Sequence, residues 1–209
     1  MQTDKVRVNS NGTGTAPAMD EVERFSEYMG LDRKCAMRLR LIAEETLGMV
    51  NAITEDFEAD FWLEGERDQA CRLHLTAETK MNLSKKRELL DASSDKKNAA
   101  YKGFMGRIRE MMEEGIYAAD EDASSAENVP PVYGRMGVHG AGNSYAYQYS
   151  LAKYRADINA AKASSGDKAE EWDELEKSIV ANIADDVRVG VRGNTVELVI
   201  EKDWSKHNA

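Results

Sequence analysis

Two neighbouring helical stripes, enclosed by segments whose apolar residues alternate, limit what this chain can fold into. Met19, Val22, Phe25 and Met29 recur at helical spacing, and Gly30 closes that segment. Thr15 is the expected N-cap, with Pro17 in the first turn. Asp32 caps a second helix whose residues Cys35, Leu39, Ile42, Ala43, Thr46, Val50 and Ile53 trace one wide apolar face. Residues 5–8 alternate and predict a short strand, and the polar, Gly-rich stretch 9–15 predicts a loop. Residues 57–63 and 71–79 are strand-like around a hairpin turn at 64–68, and residues 187–191 and 196–201 form a second hairpin around Gly193 and Asn194. Helices beside such hairpins bury their stripes against one face of a sheet. The expected class is an α+β two-layer sandwich, helices packed on one face of a mainly antiparallel sheet.

The middle of the chain patterns differently. Residues 82–97 are polar and charged, with a short helical piece at 87–90. Lys102, Gly103 and Gly106 lead into a helix that runs through Met112 and ends at Gly115. Residues 118–128 are acidic and rich in Ser and Ala, and Pro130, Pro131 and glycines 134, 137, 140 and 142 follow. That stretch has little to bury and reads as a long loop. Helices are expected over 145–161 and 170–183, the second with a stripe of Trp172, Leu175, Ile179 and Ile183. The expected organisation is a core of residues 1–116 and 184–209, with 117–183 as a largely helical insertion.

Composition excludes several function classes. Hydrophobic residues make up 42%, enough for a packed core, so a wholly disordered chain is excluded. A net charge of −10 gives no footprint for nucleic acid and is repelled by anionic membranes; a basic partner suits it better. No apolar run reaches the roughly 20 residues of a membrane helix. The first residues carry no apolar leader, so a cytoplasmic location is expected. His74, His139 and His207 are widely spaced, and Cys35 and Cys71 form no close ligand pair, so no metal site is expected. The cysteines read as buried, reduced thiols.

The order of segments, together with residues 28–31, 41–53, 102–108 and 196–200, resembles the GHKL superfamily of gyrase, heat-shock chaperone, histidine-kinase and mismatch-repair ATPases. The closest likeness is to its anti-sigma-factor and serine-kinase branch. The resemblance implies the histidine-kinase-type ATPase fold, with ATP and Mg²⁺ as cofactors of an active member. Residues 41–53 look like the family's N-box helix. There Glu45 matches the glutamate that acts on the attacking water. The asparagine implied four residues later, which holds Mg²⁺, is replaced by Met49, a poor ligand for a hard cation. Asn51 lies two positions further, about 200° around a helix. The Asp-x-Gly-x-Gly stretch that should read the adenine is Leu75-Thr76-Ala77-Glu78-Thr79-Lys80-Met81, with Glu78 the one carboxylate. The glycine turn after the ATP lid corresponds to Lys102, Gly103 and Gly106, at altered spacing. Lys102 and these glycines are the candidates for cradling a phosphate.

Two readings stand at this point. In the first, the chain is an anti-sigma-factor-like regulatory protein that binds a protein partner, sigma-like or of a phosphorelay, with weakened or lost ATP binding. In the second, it is an active serine kinase or ATPase. There Glu45 is the catalytic base, and Asn51, Glu78, Lys102, Gly103 and Gly106 hold the nucleotide. A homodimer is compatible with either.

Overall fold

The computed structural model describes residues 1–51, 57–67, 70–78, 108, 147–164, 178–192 and 195–205. In chain order these give β1 (Val6–Asn9), α1 (Thr15–Met29), α2 (Arg33–Asn51), β2 (Glu58–Gly65), β3 (Ala70–Glu78), β4 (Tyr147–Ser150), α3 (Leu151–Ser164), α4 (Ile179–Ile183), β5 (Asp186–Arg192) and β6 (Thr195–Asp203). One six-stranded sheet runs β1-β2-β3-β6-β5-β4, and every neighbouring pair is antiparallel. The two hairpins read from the alternation, β2–β3 and β5–β6, sit side by side at its centre.

The alternation decides the layers. Phe61, Leu63, Leu73, Leu75, Val187, Val189, Leu198 and Ile200 turn to one face and are buried. There they meet Val22, Phe25 and Met29 of α1, Leu39, Ile42 and Leu47 of α2, Leu151 of α3 and Val180 of α4 in one core cluster. Each such aliphatic or aromatic side chain contributes about 1.5–3 kcal/mol on burial. The described elements therefore form an α+β architecture, helices over an antiparallel sheet, as the patterning required. Ile108 is helical and belongs to the same core.

The helix ends follow local chemistry with one exception. Gly30 ends α1 in the left-handed region at φ 69, and its N–H and that of Leu31 return to Glu27 and Ser26 carbonyls. Asp32 Oδ1 accepts from Cys35 N at 2.7 Å, the cap expected for α2. Its carboxyl is held below the ordinary value, chiefly by that hydrogen bond. At the start of α1 the N-cap is Gly14 and Thr15 is the first helical residue. Gly14 sits at φ 85, and a Cβ built there would lie 1.9 Å from the Arg7 carbonyl oxygen of β1. The close approach of loop to strand outweighs the capping preference of threonine.

Two sequence expectations in the 145–183 stretch are corrected. The helix predicted from Tyr145 begins at Leu151, because Tyr147–Ser150 pairs with β5 as an edge strand. Asp186 of β5 fixes the junction: its Oδ1 accepts from Ser150 Oγ at 3.0 Å and from Ala152 N at 3.1 Å. The helix predicted over 170–183 is described only from Ile179. Ser178 before it is extended, and its hydroxyl accepts from Ala181 N at 3.2 Å. That cap resets the phase, so Val180 and Ala181 are buried while Ile179 is exposed. Trp172 and Leu175 lie outside the described residues.

Candidate functional site

Helix α2 carries three of the residues singled out by the sequence, Glu45, Met49 and Asn51. Glu45 is half-buried at the margin of its exposed face. Glu44 beside it is exposed and accepts from Arg40 Nε at 2.9 Å, one helical turn back. Met49 is 6% exposed and packed in the core. Asn51 is the last residue of α2 and is exposed. Six residues separate Glu45 from Asn51, about 9 Å along the axis and about 120° around it. The helix therefore does not bring the carboxylate and the amide to one point. Glu78 is the last residue of β3, opposite Thr195 of β6, so backbone register places it at the end of the central hairpin. Lys102, Gly103 and Gly106 lie outside the described residues.

The polar face of the sheet holds a second constellation, which sequence reasoning passed over. Trp62 and His74 are direct cross-strand partners, and their rings stack at 4.6 Å with planes 4° apart. Lys5 Nζ lies 4.3 Å from the indole centroid. The stack is shielded although it is on the face away from the helices: His74 is 8% exposed and Trp62 9%. Around it runs an ion network. Arg72 Nε donates to Glu201 Oε2 at 3.0 Å, and its Nη1 to Glu64 Oε1 at 3.3 Å. Arg188 Nη2 donates to the same Glu201 oxygen at 2.9 Å.

His74 stands between two of these carboxylates. Glu64 Oε1 is 3.2 Å from Nε2 and Glu197 Oε1 is 3.8 Å from Nδ1. Neither contact has hydrogen-bond alignment, so both ring nitrogens are buried without a hydrogen-bond partner. A neutral imidazole has one N–H and can serve only one carboxylate; an imidazolium could serve both. Burial disfavours the charged form most strongly and sets the His74 pKa below its ordinary value, against the pull of Glu64 and Glu197. The Glu64 carboxyl is likewise lowered: Arg72 and His74 outweigh its burial. The sequence did carry a signal for this pair. Closing the hairpin so that Phe61, Leu63, Leu73 and Leu75 share the core face puts Trp62 opposite His74 on the other.

Among the described residues no group of three His, Cys, Asp or Glu side chains is placed to hold a metal ion. No described helix is long and apolar enough to cross a membrane. No family model, curated protein or solved structure matches the chain.

Proposed function

We propose that the chain is a regulatory protein on a GHKL-like scaffold, anti-sigma-factor-like, that acts by binding a protein partner and has weakened or lost ATP binding. The observation that carries this reading is Met49. The position four residues after Glu45, where the resemblance implies a Mg²⁺-holding asparagine, is occupied by a thioether buried in the core. A sulfur ether is a poor donor to a hard cation, and a buried one is turned away from any ligand. Asn51 does not replace it, because it projects from another side of α2. The order strand–helix–helix–hairpin and the closing β5–β6 hairpin agree with the scaffold the resemblance implies.

Calorimetric titration with Mg²⁺-ATP and with ADP tests this reading, alongside a thermal-shift series. The expected result is no binding heat and no shift at millimolar nucleotide. An active site with a dissociation constant a hundredfold below the nucleotide concentration would stabilise the fold by about 2.7 kcal/mol. For a chain of this size that raises the midpoint by about 5–10 °C. A rise of that size that requires Mg²⁺ would overturn the proposal in favour of a serine kinase or ATPase.

A further inference from the structure

Most cations of the described residues are engaged. Arg7, Arg24, Arg40, Arg72, Arg188 and Lys202 form ion pairs; Arg155 donates to the Ala181 carbonyl, and Lys5 covers Trp62. Arg33, Lys34 and Arg38, and Lys153 of α3, are different, and the first three cluster. Among the described residues none of the four makes an ion pair, and the first three all fall in the first half of α2. Lys34 adds only a minor field to Asp32, whose carboxylate is committed to the helix cap.

That placement opposes stability. The N-terminal end of a helix carries positive partial charge, so cations in its first turn are repelled; the Asp32 carboxylate at the cap offsets part of this, and the first turn of α2 holds no further acidic residue. Stability alone would favour Asp or Glu at positions 33 and 34.

Apolar surface accompanies the charge. Met37 is 51% exposed and Tyr28 is 41% exposed, two of the four large hydrophobic side chains so exposed among the described residues. Arg33, Lys34, Met37 and Arg38 span an arc of about 140° around α2, opposite the buried stripe. Tyr28 belongs to the last turn of α1, at the same end of the helical hairpin. There Arg67 donates to the Tyr28 carbonyl at 2.7 Å and lies 5.3 Å from its ring.

We infer that this end of the α1–α2 hairpin is a docking surface for an acidic protein segment that also carries apolar side chains. Charge complementarity selects the occupant. The unpaired cations call for carboxylates, and the exposed Met37 and Tyr28 add apolar surface at the same end of the hairpin. The chain's net charge of −10 as a whole suits a basic partner, so the attraction is local to these cations; it favours a short acidic segment over ligands with extended negative fields, nucleic acid and anionic lipid. This deepens the partner-binding reading and is independent of whether nucleotide binds.

The test uses the full chain and a labelled synthetic peptide alternating glutamate with leucine, read by fluorescence anisotropy. An all-glutamate peptide, phosphatidylserine-containing vesicles and a DNA duplex serve as comparators. Wild type should bind the mixed peptide more tightly than any comparator and more weakly as salt is raised. The double variant Arg33→Glu/Lys34→Glu should lose at least about tenfold in affinity. Its thermal midpoint should hold or rise, because the new charges suit the helix end. Loss of binding with retained stability separates docking from folding. Met37→Ser should weaken the mixed peptide and leave the all-glutamate peptide unchanged. Absence of peptide binding, unchanged affinity in the double variant, or tighter binding to vesicles or DNA would each overturn the inference.

Discussion

Replacing Gly14 by alanine isolates the cost of one close backbone approach. Gly12 and Gly14 lie two residues apart in the same loop, both at φ 85. A Cβ at Gly12 would meet nothing within 4 Å, whereas one at Gly14 would fall 1.9 Å from the Arg7 carbonyl oxygen. Holding alanine in the left-handed region costs about 1–2 kcal/mol at either position. The stiffening of the unfolded chain returns about 0.4–1 kcal/mol and cancels between the two variants. Only Gly14→Ala must also push the loop off β1, a shift of the size that overpacked cores resist by about 1–3 kcal/mol. Its nearest neighbours are backbone atoms of Arg7 and Val8, so no side-chain rotamer can relieve it. Gly14→Ala should therefore destabilise by about 1–5 kcal/mol. At about 2–4 °C per kcal/mol for a chain of this size, its thermal midpoint should fall by about 2–18 °C. Gly12→Ala should lose only a few degrees. Calorimetric or circular-dichroism melts of the two variants side by side decide the matter. Equal losses would refute the claim that contact with β1, rather than the dihedral angle, requires glycine at position 14.

Two further perturbations probe the sheet. The folded pKa of His74 is lowered from 6.5 by burial, so the unfolded chain takes up the proton first as pH falls. Stability from this group is complete above about pH 6.5 and is lost as pH drops from there through the folded pKa. His74→Phe keeps a ring against Trp62 and removes the titration. Its urea midpoint should vary less than wild type between about pH 7 and 5, and an unchanged slope would remove His74 as the source. Cys71 is buried, receives a hydrogen bond from Trp204 Nε1 at 3.0 Å, and has its pKa pushed up to about 11 by burial. Cys35 is buried too, its thiol raised by burial and by the nearby Asp32. A disulfide-exchange reagent at mildly alkaline pH should therefore titrate neither thiol in the native protein and both after denaturation. A fast native reaction would show that one of these thiols is open to solvent.

What could be read in the sequence divides by the range over which structure is decided. Gly30 and Asp32 act on atoms within four residues of themselves, and both took the roles their chemistry implied. The alternation in β2, β3, β5 and β6 is equally local, and it fixed the core face of the sheet. Among the candidate positions, Met49 is a thioether by residue type and lies buried on α2. Glu45 and Asn51 were legible as positions on a helix, and helical geometry keeps them apart.

The misreadings occur where a distant residue has the deciding contact. Nothing within 145–161 says that a strand comes before the helix. Asp186 says it, by accepting from Ser150 and Ala152 across more than thirty residues of chain and holding the first turn of α3 against β5. Likewise Thr15 is the better N-cap by type, but the Arg7 carbonyl leaves room only for Gly14. The cations of α2 are the reverse case. Arg33 and Lys34 stand immediately after the cap residue Asp32, where the helix field opposes them, and that conflict is visible in three letters of sequence. A local preference overridden by a packing contact points to the fold. A local preference violated with no compensating contact points outward, to something the surface meets.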